Sequence, residues 1–104
     1  MKDQPNILLI MADQLSAPFL SFHGGPAKTP NIDRLAASGV NFTSTYSNSP
    51  LCAPARFTMM SGQLNSKIGA YDNASEFPSS IPTFAHHLRA AGYQTSLVGK
   101  MHFV

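Results

Sequence analysis

The chain is organised around the sequence SPLCAPARFTMMSG, residues 49–62. It contains the only cysteine, Cys52, and Arg56 follows four residues later. Proline is tolerated in the first turn of a helix because its missing N–H has no partner there. Residues 55–60 can continue a helix, and Gly62 fits a helix C-cap. The stretch therefore predicts a helix with Cys52 at its N-terminus.

Cys52 and Arg56 are expected on the same face of this helix, about 6 Å apart along the axis at ~1.5 Å per residue. The N-terminus of a helix carries unpaired N–H groups and the positive end of the dipole, so it favours an anion. A sulfur nucleophile, an anion-binding helix end and a guanidinium are thus predicted to lie together.

The composition indicates one small globular domain, since 43% of the 104 residues are apolar. A net charge of +2 does not favour nucleic acid or an anionic membrane as a partner. One cysteine cannot form an internal disulfide, and the apolar run at residues 7–11 is too short to cross a bilayer. We therefore expect a soluble, cytoplasmic protein. The apolar stretch 101–104 is unusual for a chain end and predicts the N-terminal piece of a longer protein.

The order of elements predicts an α/β fold with a mainly parallel sheet flanked by helices. Strands are expected at residues 6–11, 40–46 and 94–98, from apolar or alternating patterns. Helices are expected at 29–39, with Thr29 as N-cap, and at 83–91, with Gly92 as C-cap. The first of these predicts a buried stripe formed by Ile32, Leu35 and Ala36. Residues 63–82 are expected to form a long loop.

Several polar side chains follow the predicted elements. Asp13 lies at the carboxyl end of the first strand, where open α/β sheets place their ligands, and is either a metal ligand or a turn former. Lys100 and His102 share one face of an extended chain, and either serve a site or are simply exposed. Asn73 could donate to a substrate oxygen or form an Asx turn.

These residues favour hydrolysis of a sulfate or phosphate ester, with Arg56 and Lys100 holding the anion and His102 moving protons. A cysteine at a helix N-terminus beside an arginine is also typical of thiolate phosphatases and redox enzymes. Pro54 removes an amide from such an anion cradle and counts against the phosphatase. A third interpretation is a non-catalytic α/β domain in which Cys52 is simply buried.

The sequence CAPAR at 52–56 resembles the Cys-x-Pro-x-Arg signature of type I sulfatases, in the alkaline phosphatase-like superfamily. The blocks at residues 5–13, 29–36, 60–63 and 92–100 are similar to the family's other N-terminal blocks, in the same order. Further segments resemble the choline sulfatase subfamily: SPLCAPAR at 49–56, YDNA at 71–74, SSIPT at 79–83 and GKMHFV at 99–104. Phosphonate monoester hydrolases and phosphodiesterases share the cysteine signature but tend to lack the Lys-x-His pair kept here as Lys100 and His102.

The resemblance implies a sulfuric ester hydrolase that cleaves choline sulfate to choline and sulfate. Cys52 would be oxidised to Cα-formylglycine by a formylglycine-generating or equivalent enzyme. One hydroxyl of its hydrate would attack sulfur and expel the alcohol; deprotonation of the other hydroxyl would then break down the hemiacetal and release sulfate by C–O cleavage. Arg56 would stabilise the hydrate, and Lys100 would bind sulfate and bridge to the nucleophile. His102 would help in the breakdown of the hemiacetal. Asn73 would contact the sulfate or the leaving group.

The resemblance also implies a divalent cation, with Ca²⁺ first and Mg²⁺ or Mn²⁺ as other candidates, held by Asp13 and the modified Cys52. Gln14 stands where many sulfatases carry a second aspartate; its amide oxygen can still ligate a hard cation, with less charge. Residues 1–104 would be the incomplete N-terminal part of a single catalytic domain, inactive alone, and the full-length protein a homo-oligomer.

Overall fold

The computed structural model describes residues 4–103; Val104, the last residue of the predicted apolar end, lies outside them. The chain divides into two compact units, one that ends at Thr43 and one that begins at Ser44. The helices are α1 (Pro30–Ser38), α2 (Cys52–Ser61), α3 (Asn65–Ile68) and α4 (Phe84–Ala90), preceded by short 3-10 helices at Ala17–Phe19 and Ser21–His23.

Helix α1 begins and ends where the sequence predicts. Pro30 occupies the first turn, and the N–H of Gly39 closes the helix by donating to the Leu35 carbonyl at 2.9 Å. Thr29 is the N-cap residue, as predicted, but its side chain makes no cap hydrogen bond. Its hydroxyl donates to the Asp33 carboxylate at 3.0 Å instead of accepting a helix N–H. The N-cap residue is therefore linked to the first turn of α1 by a side-chain hydrogen bond to Asp33.

Ser21 joins the 3-10 helix Ser21–His23 to this start of α1. Its hydroxyl donates to Asp33 Oδ2 at 2.7 Å, and its N–H donates to Thr29 Oγ1 at 3.2 Å. In return the N–H of Thr29 donates to Ser21 Oγ at 3.0 Å. These side-chain hydrogen bonds join the two helices in a part of the chain, residues 4–43, where no residue is buried.

The buried stripe predicted on α1 is not formed within this unit. Ile32 is 40% exposed and Leu35 is 65% exposed, while Ala36 is half-buried. One nine-residue helix and two 3-10 helices provide too little apolar surface to cover that face. The amphipathic pattern identified the helix correctly and its burial incorrectly.

The second unit is built on α2. Gly62 adopts the left-handed conformation at φ 67° and donates to the Thr58 carbonyl at 2.8 Å, which confirms the predicted C-cap. Ala53 and Phe57 of α2 are fully buried and form the core with two residues from α3 and its end, Ile68 and Ala70. Helix α3 lies within residues 63–82, which the sequence predicted to be loop throughout.

Helix α4 is shorter than predicted: it ends at Ala90, and Ala91 instead of Gly92 is its C-cap. It carries a capping box that sequence reasoning missed. The Thr83 N–H donates to His86 Nδ1 at 3.1 Å, and the Thr83 hydroxyl lies 2.8 Å from the same nitrogen. Histidine here takes the place of the glutamate or glutamine usual at the third helical position.

The predicted parallel sheet is not seen among residues 4–103. The segments 6–11, 40–46 and 94–98 form no strand. The β-pairing among the described residues is a single isolated bridge between Leu20 and Ala27, outside these segments. A strand needs a neighbour to pair its N–H and C=O groups, and none of the described segments provides one. The apolar side chains of these segments are accordingly exposed, from 47% at Met11 to 92% at Val98.

The capping box predicts unequal effects for two adjacent histidines. His86→Ala removes the acceptor for the Thr83 N–H and should weaken α4 by about 1 kcal/mol, the usual cost of losing a cap. His87→Ala, on the same exposed turn, is the matched control. Amide hydrogen exchange over residues 84–87 of the full-length protein measures the local opening. Equal exchange rates in the two variants would show that the box does not hold the helix.

Candidate active site

The N-terminus of α2 is capped from a distant part of the chain. The N–H of Ala53, next to Cys52, donates to Asn73 Oδ1 at 3.0 Å. Leu51, which precedes the helix, offers no side-chain cap. The sequence predicted free N–H groups at this helix end, and the structure shows that a side-chain amide oxygen already accepts from one of them.

A compact turn presents Asn73 to the helix. Asp72 Oδ1 accepts from the N–H of Ala74 at 3.0 Å and from the Ser75 hydroxyl at 2.9 Å, while Ser75 Oγ accepts from the N–H of Tyr71 at 3.1 Å. The Asx-turn role weighed for Asn73 thus belongs to its neighbour Asp72. Asn73 itself is exposed.

Cys52 is the first residue of α2 and is half-buried with a free thiol. It does not belong to the core, in which the adjacent Ala53 has no exposed surface. The third interpretation from the sequence, a cysteine that is simply buried, therefore does not describe this side chain.

Arg56 lies one helical turn after Cys52, as predicted, and is 8% exposed. Its Nη1 donates to the backbone carbonyl of Lys100 at 2.7 Å. A buried guanidinium requires such partners, because an unpaired charge in the interior is costly. Arg56 therefore holds the main chain at residue 100 against α2, a contact that the sequence did not predict.

The extended conformation predicted around Lys100 and His102 is wrong. Gly99 has φ 103° and His102 has φ 59°, and both values bend the chain out of a period-two strand. The Lys100 side chain is exposed, whereas His102 is half-buried. His102 Nδ1 is buried and has no hydrogen-bond partner among the described residues. The main chain of this bent segment comes near α2 at the Lys100 carbonyl.

Three phenylalanines pack the end of this segment onto α2. Phe57 stacks on Phe77 with ring centroids 4.7 Å apart, and Phe103 packs on both, at 6.0 Å from Phe57 and 5.5 Å from Phe77. These separations are typical of favourable aromatic pairs. Sequence reasoning missed this cluster, although isolated aromatic residues in a polar loop such as 63–82 were a signal that could have found it.

Asp13 and Gln14 belong to the unit that ends at Thr43. Both are exposed, and they follow an unpaired apolar segment instead of a strand. Gln14 has φ 54°, a conformation that residues other than glycine seldom adopt and that often marks a functional position. Among residues 4–103, no three His, Cys, Asp or Glu side chains come together to hold a metal ion.

A sequence model of the Sulfatase family matches residues 5–104, nearly the whole chain. The chain belongs to the sulfatase family. Membership implies an alkaline phosphatase-like fold for the complete domain, while the parallel sheet remains a prediction. None of the helices in residues 4–103 combines the length and apolar character needed to cross a bilayer.

Curated sulfatases of several specificities resemble this chain. It is 56% identical over 104 residues to a choline-sulfatase of Rhizobium meliloti (strain 1021), covering 97% of this chain and 20% of that protein. Identity is 37% over 102 residues to an N-acetylglucosamine-6-O-sulfatase of Bacteroides thetaiotaomicron, covering 97% of this chain and 18% of that protein. It is 43% over 106 residues to arylsulfatase A of Bos taurus, covering 94% of this chain and 21% of that protein. This sulfatase chain thus spans about a fifth of the length of the curated relatives it matches.

The Asn73 cap predicts a difference between two substitutions. Asn73→Ala leaves the Ala53 N–H without its acceptor and should destabilise the start of α2 by about 1 kcal/mol. Asn73→Asp keeps the acceptor and adds a negative charge that the helix dipole favours, so the cap should persist. Hydrogen exchange of the amides at 53–56 in the full-length protein measures this. Loss of protection in the aspartate variant equal to that in the alanine variant would contradict the cap.

Proposed function

We propose that the full-length protein is a sulfuric ester hydrolase that cleaves choline sulfate to choline and sulfate, with Cys52 as the precursor of a formylglycine. The observation that carries this proposal is the CAPAR sequence at the start of α2, with Cys52 half-exposed and Arg56 buried one turn later. The 56% identity to a choline-sulfatase supports choline as the alcohol part of the sulfate ester. Residues 1–104 would form the N-terminal part of one catalytic domain.

Side chains and backbone groups around the N-terminus of α2 can bind a sulfate group, and none of them needs to be a metal ligand to do so. The Asn73 oxygen is occupied by the Ala53 N–H, so the side chain meets an anion through its amide nitrogen only. Lys100 adds an exposed ammonium group, which binds an anion as a point charge. The N-terminus of α2 provides the favourable end of the helix dipole. In this proposal, these groups would together hold a tetrahedral anion next to position 52.

Arg56 and His102 have different tasks in this proposal. The guanidinium of Arg56 lies under the site, where it fixes the Lys100 main chain and keeps a positive charge one turn from position 52. The imidazole of His102 can serve as the proton carrier in the step that releases sulfate from position 52. A formylglycine at position 52 would supply an oxygen nucleophile in place of the thiol.

We further propose a divalent cation, Ca²⁺ first and Mg²⁺ or Mn²⁺ as alternatives. Asp13 and Gln14 would contribute a carboxylate and an amide oxygen, and position 52 another oxygen, all suited to a hard cation. The described residues alone do not form a complete site for this ion. A formylglycine-generating enzyme would be the partner in maturation, and the mature protein a cytoplasmic homo-oligomer.

Substitution of the proposed nucleophile tests the function. In the full-length protein, Cys52→Ala should lower sulfate release from choline sulfate by on the order of 10³-fold or more, since only binding and electrostatic effects would remain. Met59→Ala, at a position on α2 that is 39% exposed and outside the site, is the control and should retain activity.

Ion chromatography of released sulfate gives the rate, and a phosphonate monoester serves as the competing substrate. Full activity of the Cys52→Ala variant would overturn the nucleophile assignment. Faster turnover of the phosphonate ester than of choline sulfate by the wild-type protein would overturn the proposed substrate in favour of the related phosphonate hydrolases.

A further inference from the structure

We propose that Phe103 is a positioning residue for His102, which it holds in place through the rings of Phe57 and Phe77. No role for these three phenylalanines follows from the chemistry assigned above. The proposal rests on the proposed function only in its last step, where a fixed imidazole serves proton transfer. Its structural part concerns the conformation of residues 100–103 and can be tested without substrate.

The backbone of His102 is held in a conformation that its own side chain disfavours. At φ 59° it lies in the left-handed region, which residues with a Cβ seldom enter. Such conformations persist only where the surrounding structure imposes them, and they cluster at functional sites. The burial of His102 Nδ1 without a partner among the described residues is a second cost at the same residue. Something near His102 must compensate for both.

Two contacts flank His102 and fix the chain on either side of it. Before it, the Lys100 carbonyl accepts from Arg56 Nη1 at 2.7 Å. After it, the ring of Phe103 packs on Phe57 and Phe77 at 6.0 and 5.5 Å. Arg56 and Phe57 are adjacent residues of α2, and Phe57 has no exposed surface. The segment is therefore held at both ends by one turn of a buried helix.

Phe103 is the contact that determines the direction of the imidazole. It follows His102 directly, so the position of its ring fixes the peptide group that joins the two residues. Its ring is tilted by 46° to Phe57 and by 43° to Phe77, while those two rings lie 12° apart, almost parallel. Phe103 thus contacts both rings of a stacked pair, which restricts the position of its own ring. Without that ring, His102 can relax to negative φ and turn its side chain.

A purely structural role for Phe103 would give a different result, and Ile81 provides the comparison. Ile81 also packs against the core of Ala53, Phe57, Ile68 and Ala70, but it lies far from His102 in sequence. Ile81→Ala should therefore loosen the same core without freeing residue 102. A contribution to packing alone would make the Phe103 and Ile81 variants behave alike.

The test uses three variants of the full-length protein. Phe103→Leu keeps apolar volume but removes the ring, Phe103→Tyr restores the ring, and Ile81→Ala is the packing control. We expect Phe103→Leu to lower kcat for choline sulfate by on the order of tenfold to a hundredfold, as misplacement of a catalytic group by about 1 Å does. KM should change little, because the sulfate-binding groups remain. Phe103→Tyr should restore kcat, and Ile81→Ala should leave it near the wild-type value.

Chemical labelling of histidines gives a readout independent of activity. Diethyl pyrocarbonate modifies accessible imidazole nitrogens, and peptide mass spectrometry reports the rate at each histidine. We expect faster modification of His102 in Phe103→Leu, because its buried Nδ1 becomes exposed. His86 and His87, on α4, are internal references and should keep their rates in every variant.

Unchanged labelling of His102 in Phe103→Leu would overturn the proposal, as would an equal loss of kcat in Ile81→Ala. Faster labelling together with a fall in kcat that Phe103→Tyr reverses would support it. A wild-type protein that releases no sulfate from choline sulfate would overturn the proposed function and the catalytic step together. The labelling result would then still decide whether Phe103 holds His102.

Discussion

The hydrogen bond from Arg56 to the Lys100 carbonyl is the contact on which the rest of the site depends. It joins residues 44 positions apart at 2.7 Å, from a side chain that is 8% exposed. The contact serves two purposes, because it satisfies a buried guanidinium and brings the Lys100–His102 segment to the helix that carries Cys52. With the Phe57–Phe103 contact on the next residue of α2, it converts a bent loop into a fixed part of the site.

Helices in this chain were predictable because their signals are local. Pro30 in a first turn and the glycines 39 and 62 at two helix ends mark α1 and α2 in the sequence itself. The sheet was not predictable in this way, since a strand forms only with a partner that the pattern does not name. Residues 6–11 have the composition of a buried strand and are nevertheless unpaired and exposed here.

The residues of the candidate site show the same difference between local signals and contacts with distant residues. Cys52 and Arg56 were placed correctly, since one helical turn relates them. The cap from Asn73, the Arg56–Lys100 bond and the three packed phenylalanines join residues 20 to 46 positions apart, which periodicity does not detect. The resemblance to sulfatases predicts that Asn73, Lys100 and His102 belong to one site. The structure shows contacts with α2 from the Asn73 side-chain oxygen, the Lys100 carbonyl and the Phe103 ring.

The central claim is that Cys52 is a precursor and that the working nucleophile is an oxygen. Mass spectrometry of the peptide containing residues 52–56, from the full-length protein purified from its own cells, tests it most directly. We expect that position 52 has lost its sulfur and carries an aldehyde, which a hydrazide or hydroxylamine reagent captures. An intact, alkylatable thiol at Cys52 in a preparation that releases sulfate from choline sulfate would contradict it.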